Sequence, residues 1–370
     1  MSTLDDERRK IALHDLEAAQ LRRGDILAWT SLLRVQPEWT AATVCRVKAV
    51  PMQRGWSGAA LLKFQVTLCS GEVLAFVGKR VKDGETRVLE MLSQRTPVDV
   101  PRVYFVQDGW CVMEAAPPGK LPVEWEPDDA RAALRNLARL HTAFWDRAPD
   151  WLDRLDVVGL NRRLDKAAHG LDLIERVGGW PGLIEPGLMR AMRRALDQRE
   201  RFVTPLVHQP ITLVHGDAWM PNWNIARERC VLLDWEAVVA GPAAWDVNYL
   251  IEIAAVYRAA DGRWQVCLPP IARDEAVTFY LDELERALGR KVDRVAFMLA
   301  LPAAFVVNTL TLWMGYAADY GAWTKVFVGA GWLLACLPGP IRRALEGLAL
   351  QNQGDFLRQT FARLESCVGL

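Results

Sequence analysis

The sequence has no net charge: 45 Lys and Arg are matched by 45 Asp and Glu across 370 residues. That removes any global electrostatic argument for a nucleic-acid partner or an anionic membrane surface. It has no C-x-x-C pair. Its seven cysteines, at 45, 69, 111, 230, 267, 336 and 367, are odd in number and scattered. A disulfide framework or zinc site is therefore not expected, and a reducing, cytoplasmic compartment is. The start, Met1-Ser2-Thr3-Leu4-Asp5-Asp6-Glu7-Arg8-Arg9-Lys10, is too charged for a secretory signal. Histidine is scarce, at five residues, and His14, His169 and His208 stand in no ligand-like constellation. No internal repeat or low-complexity tract is visible.

Charge is also missing locally. Residues 295–318 carry none and are long enough to cross a bilayer, and 326–341 form a second uncharged run. Pro302 and Asn308 interrupt the first, Gly329, Gly331 and Pro338 the second, and neither has a basic flank of consistent bias. Both read as helices buried in a large helical lobe, apolar all round. No membrane partner is expected.

What is present divides into three stretches. A chain of this length can bury a sizeable core, most simply as two lobes. Residues 1–40 read as a helical extension, with Ala12, Leu16 and Ala19 at helical spacing and Ile26-Leu27 and Leu32-Leu33 continuing the apolar signal. Residues 41–116 are β-rich, over 43–51, 61–70 and 73–81, with a turn at Ser70-Gly71-Glu72. Lys79 ends an apolar strand, and a helix beginning near Gly84-Glu85 presents Val88, Leu89 and Leu92 on one face. Lys82 competes with Lys79, and Glu90 with Glu85. Pro117-Pro118-Gly119 marks the boundary to residues 117–370. There Leu134, Leu137, Ala138 and His141 share a face of a helix ending near Phe144, and 147–205 and 250–370 are expected to be helical.

The chemistry is concentrated in Leu213-Val214-His215-Gly216-Asp217-Ala218-Trp219-Met220-Pro221-Asn222, followed by Val231-Leu232-Leu233-Asp234-Trp235-Glu236. An Asp, an Asn after four intervening residues, and a second Asp after an apolar strand form a set suited to phosphoryl transfer. One carboxylate orients and deprotonates a hydroxyl, while an amide and a carboxylate hold Mg²⁺ on the phosphates. Protein kinases use the spacing H-R-D-x-x-x-x-N followed by D-F-G. Here His215-Gly216-Asp217 and Asp234-Trp235-Glu236 replace the two triplets, and no activation segment ending in A-P-E follows.

That variant resembles the aminoglycoside phosphotransferase and choline-kinase-like superfamily of small-molecule kinases, as do Leu137-Ala138-Arg139-Leu140-His141 and Gly241-Pro242-Ala243-Ala244-Trp245-Asp246. The extended N-terminus and Trp-rich segments loosely resemble its ecdysteroid-kinase-like branch. The resemblance implies an α+β, bilobal protein-kinase-like fold. A small antiparallel β-sheet lobe with one helix, 41–116, would precede a large, mostly helical lobe, 117–370. It implies ATP and Mg²⁺ as cofactors and a small-molecule hydroxyl as the acceptor.

It also implies roles. Asp217 is the catalytic base, and Asn222 and Asp234 hold the metal, with Glu236 a further group on the metal side. Lys79 holds the α- and β-phosphates and pairs with Glu85. Gly55, Ser57 and Gly58, in Gln53-Arg54-Gly55-Trp56-Ser57-Gly58, form the flap over the phosphates, where glycine lets backbone N–H groups approach. Residues 113–116 form the hinge, with Glu114 and Ala116 at adenine's edge. His215 and Asp246 support the catalytic loop, and His141 is a satisfied core histidine. Residues 251–370 hold twelve acidic and twelve basic residues, without the acidic excess a polycationic aminoglycoside needs. Trp219 and Trp245 are candidates to contact a neutral or weakly charged, partly apolar alcohol or sugar. The alternatives are an aminoglycoside-type antibiotic O-phosphotransferase and a catalytically inactive, nucleotide-binding kinase-fold module.

Overall fold

In the computed structural model, side chains alternate along the central strand of a five-stranded antiparallel sheet, so Phe76 and Gly78 face one side and Val77 and Lys79 the other. The structure describes residues 17–52, 60–81, 83–95, 98–176, 186–226, 229–253, 255–258, 264–320, 360, 362–364 and 366–368. The expected flap residues Gly55, Ser57 and Gly58, and Lys82, lie outside them. The chain divides into two compact units, 1–119 with 226–237, and 120–225 with 238–370.

The first unit opens with helices α1 (Ala18–Arg23) and α2 (Ile26–Arg34), the latter capped by Asp25, whose side chain accepts from the Ala28 N–H at 2.9 Å. Strands β1 (Val44–Pro51), β2 (Leu61–Leu68) and β3 (Val73–Arg80) follow, then α3 (Asp83–Arg95), β4 (Val103–Gln107) and β5 (Trp110–Glu114). The sheet order is β1-β2-β3-β5-β4.

Trp29 on α2 lies 4.9 Å from the Phe64 ring and 5.2 Å from Phe76, and its indole N–H donates to the Leu21 carbonyl at 3.0 Å. Leu21, Leu32 and Leu33 are fully buried in the same cluster, each leucine contributing about 1.5–3 kcal/mol through burial. Residues 18–34 are therefore part of this unit's core. The expected separate extension, 1–40, is corrected to that extent: apolar periodicity identified the helices but not the sheet face they cover.

The cysteines read as an unpaired scatter, yet Cys45 and Cys69 form a disulfide, with Cα atoms 5.2 Å apart. Antiparallel pairing of β1 with β2 brings residues 24 positions apart to adjacent rungs, a relation that spacing alone does not reveal. The stretch after 250, expected to be helical, contains an antiparallel pair, Ala255–Arg258 with Trp264–Cys267. Val256, Tyr257 and Val266 are strand formers.

The second unit is mostly helical. Helix α4 (Pro127–Ala143) starts with Pro at its first turn and buries Ala130, Ala133, Leu134, Leu137, Ala138 and His141 along one face. Helices α5 (Val157–Glu175), α6 (Pro186–Asp197) and α7 (Glu200–Val207) follow. Strand β6 (Ile211–Val214) leads into His215-Gly216-Asp217 and the chain leaves this unit within β7 (Trp223–Ala226). It gives β8 (Arg229–Leu232) to the first unit and returns with β9 (Val239–Pro242), which pairs antiparallel with β6. Helices α8 (Ala244–Glu252), α9 (Arg273–Leu288) and α10 (Arg294–Thr309) follow β9. The helix spanning Arg294–Asp319 is long and apolar enough to cross a membrane by length and composition, and 61 % of its most apolar stretch is buried inside the protein. The class is α+β, as expected from sequence.

Gly78 tests the packing next to Lys79. A Cβ there would lie 2.6 Å from Trp110 Cζ2 and 2.8 Å from Phe64 Cε2, both ring carbons in a filled core. We expect Gly78→Ala to lower stability by about 1–3 kcal/mol, read as a lower denaturant midpoint. An unchanged midpoint would show that the rings move aside.

Candidate active site

Each unit carries one part of the motif set. In the first, the side alternation of β3 turns Lys79 away from the Trp29 cluster and toward α3, whose Val88, Leu89 and Leu92 are buried. Glu85 stands in the first turn of that helix, and its Oε1 accepts from Lys79 Nζ at 2.6 Å. Lys79 Nζ also donates to Asp234 Oδ1. Side-chain exposures are 8 % for Lys79, 2 % for Glu85 and 37 % for Asp234, so Asp234 is the open member of the group. Burial acts to lower the Lys79 pKa, but the charges and hydrogen bonds of Glu85 and Asp234 outweigh it and leave the ammonium above its usual value. Burial pushes the Glu85 carboxyl above its usual range against the pull of Lys79, and the charges of Asp234 and Glu236 add to the rise. Glu90 is exposed.

Asp234 is held by its turn. It adopts φ +63°, a left-handed conformation that Asp tolerates better than most residues with a Cβ. The next residue, Trp235, is fully buried and its indole N–H donates to the Leu232 carbonyl at 3.0 Å. The Leu232 N–H in turn donates to the Asp99 carbonyl at 3.1 Å. Trp235 is thus the anchor of the Asp234-Trp235-Glu236 triplet, while Glu236 is half-buried.

Glu114 does two structural jobs. Its N–H donates to the Arg102 carbonyl at 2.8 Å, and its Oε1 accepts from Arg229 Nη1 at 2.7 Å. Ala116 is half-buried, and among the described residues its backbone has no hydrogen-bond partner. Beside them Cys111 is buried, and burial pushes its thiol up to about 12, which leaves it inert.

In the second unit, β6 delivers His215-Gly216-Asp217 to a loop built around one carboxylate. Asp246, on α8, has no solvent exposure. Its Oδ2 accepts the His215 N–H at 2.7 Å and its Oδ1 the Gly216 N–H at 2.9 Å. Gly216 has φ +84°, which explains glycine between the His and the Asp. His215 is buried, and its Nδ1 accepts the Asp217 N–H at 3.2 Å. That bond requires a lone pair on Nδ1, so a neutral ring carries its hydrogen on Nε2.

Asn222 closes the loop. Its Nδ2 donates to the Asp217 carbonyl at 2.8 Å and to Asp217 Oδ2 at 2.9 Å. Asp217 and Asn222 are both half-buried. Asp246 Oδ2 also lies 3.3 Å from Nε2 of the buried His141. Trp219 is half-buried beside Asp217. Trp245, expected as an acceptor contact, is 2 % exposed within α8 and 6.5 Å from the Tyr249 ring. It is a core residue, which corrects that expectation: a large apolar face next to a motif is read equally well as a stacking surface or as packing.

The model of the phosphotransferase enzyme family matches residues 54–288, more than half of the 370. The chain belongs to the phosphotransferase enzyme family. All the charged and amide groups just described, from Lys79 to Asp246, lie inside the matched span.

Among solved structures, a choline kinase from Cryptosporidium parvum Iowa II is similar over 93 % of this chain and 99 % of its own. The identity is 13 % and the TM-score 0.59. An amicoumacin kinase in complex with AMP-PNP, Ca²⁺ and Ami is similar over 99 % of this chain and 96 % of its own, at 13 % identity and TM-score 0.52. At these identities the likeness is one of fold. A search of curated protein sequences finds no match.

The loop's dependence on Asp246 is testable. Asp246→Ala strands the buried His215 N–H, at a cost of about 1–3 kcal/mol, and the partly buried Gly216 N–H. We expect a stability loss of at least that order in denaturant unfolding. A variant as stable as the wild type would mean that the loop finds other acceptors.

Proposed function

We propose that the chain is a small-molecule kinase that moves the γ-phosphoryl group of ATP to a hydroxyl oxygen of a small acceptor, with Mg²⁺. The observation that carries this reading is the occurrence of Lys79, Asp217, Asn222 and Asp234 together within the span that matches a phosphotransferase family.

The donor types, taken residue by residue, suit a magnesium nucleotide. Asp234 is the exposed carboxylate of its group. Asn222 commits its amide nitrogen to Asp217, so the carbonyl oxygen is its remaining polar end. Both offer the hard oxygen donors Mg²⁺ prefers. When bound, Mg²⁺ would offset the charge on the β- and γ-phosphate oxygens. Lys79, aimed by Glu85, would contact the nucleotide phosphates, and the backbone of Ala116 would meet adenine's edge.

On the acceptor side Asn222 holds Oδ2 of Asp217, and the acceptor hydroxyl would donate to the Asp217 carboxylate. As the hydroxyl oxygen bonds to phosphorus and the bond to the β-phosphate oxygen breaks, the hydroxyl proton passes late to Asp217. The transition state is loose, so positioning matters more than base strength. The balanced charge of 251–370 and the half-buried Trp219 favour a neutral or singly charged, partly apolar alcohol or sugar.

Asp217→Asn should lower turnover by roughly 10²–10⁴-fold while ATP still binds. Near-normal turnover would sink the assignment. The acceptor should bind with weak salt dependence, because a polycation in a carboxylate-lined cleft would be screened as ionic strength rises. Trp219→Ala should raise KM more than it lowers kcat. Efficient turnover of a multiply charged aminoglycoside with steep salt dependence would overturn this choice of acceptor.

A further inference from the structure

Helix α9 contributes a residue that no motif points to. Tyr280 is fully buried, and its hydroxyl lies 2.7 Å from His141 Nδ1. The other ring nitrogen of His141 lies 3.3 Å from Asp246 Oδ2, the same oxygen that accepts the His215 N–H. One hydrogen-bonded chain therefore runs from α9 through α4 and α8 to the loop after β6, and Tyr280, His141, Asp246 and His215 all have no solvent exposure.

Counting protons gives the chain a direction. Asp246 accepts two backbone N–H groups, so for His141 to bond to it Nε2 must carry the hydrogen. In the neutral ring Nδ1 then holds a lone pair, and the phenol is the donor. Burial, with the charge of Asp246, holds the Tyr280 pKa well above its ordinary value, so the hydroxyl keeps its proton.

We propose that Tyr280 is a positioning residue for phosphoryl transfer: its O–H holds His141 in the tautomer whose Nε2–H braces Asp246, and so fixes the backbone that carries Asp217. This rests on Asp217 being the acceptor-side base. The linkage is short, because Asp217 follows Gly216 directly and donates its own N–H to His215. Without the phenol hydrogen, Nδ1 has a buried lone pair and no donor. A ring that moves its hydrogen to Nδ1 withdraws a donor from Asp246. Small misplacements of a catalytic group are costly in rate.

Tyr280 also packs, stacking on Phe297 with centroids 5.5 Å apart and meeting His141 edge-on at 5.8 Å. Tyr280→Phe keeps the ring and removes only the hydroxyl. We expect kcat to fall about 10–100-fold, with KM for ATP and acceptor within roughly twofold. The His215 and Gly216 amides should exchange with D₂O at least about tenfold faster. In a His141→Gln background the added effect of Tyr280→Phe on exchange should vanish, because the two residues act in series.

Unchanged kcat, unchanged amide exchange, or additive effects in the double variant would each overturn the proposal. If the wild type transfers no phosphoryl group, the kinase reading fails, and amide exchange still decides whether Tyr280 positions the loop. Should His141→Gln not fold, the ¹⁵N signature of His141 decides: hydrogen on Nε2 supports the proposal, and hydrogen on Nδ1 contradicts it.

Discussion

A carboxylate removed from water is tolerable only when donors surround it, and Asp246 meets that demand with the backbone of the loop that carries Asp217. Its two oxygens take the His215 and Gly216 N–H groups. The loop can offer both because Gly216 turns through a positive φ that a side chain would resist. Asp217 then stands in the loop three residues past the end of β6, with its N–H tied to His215 and one carboxylate oxygen tied to Asn222. On the proposed kinase reading, a base held this way would need little adjustment when an acceptor arrives, which is where most of the advantage lies in a loose transition state.

In the other unit, the constraint is a sheet with two unlike faces. One face is filled by Trp29, Phe64 and Phe76 under α2, so tightly that Gly78 leaves no room for a methyl group. The opposite face, one residue along, presents Lys79 to Glu85. The core on one side thus fixes the height and direction of the ammonium on the other. The Asp234 turn completes the group, pinned by the buried Trp235 ring.

The fold and the site were legible from sequence to different depths. Lys79 and Glu85 could be read because a strand-then-helix pattern places them six residues apart, within local reach. Asp217 and Asn222 could be read for the same reason: five positions and one short turn separate them. What stayed hidden depends on long-range contact. Nothing near Trp29 announces Phe64, nothing near Cys45 announces Cys69, and Tyr280 lies 139 positions from the histidine it meets. Trp245 shows the opposite error, where proximity to a motif was taken for access to the site although α8 buries both faces of the residue's surroundings. The hairpin after residue 254 was lost inside a stretch judged by its helical neighbours.

The central claim is that this chain makes a phosphomonoester. The most direct measurement follows the wild-type protein with Mg²⁺-ATP and a panel of small alcohols and sugars by ³¹P NMR. The account predicts ADP formed only when an accepted alcohol is present, with an equal amount of a new phosphomonoester resonance. ATP that binds but is not consumed with any acceptor, or that yields only inorganic phosphate, would contradict it.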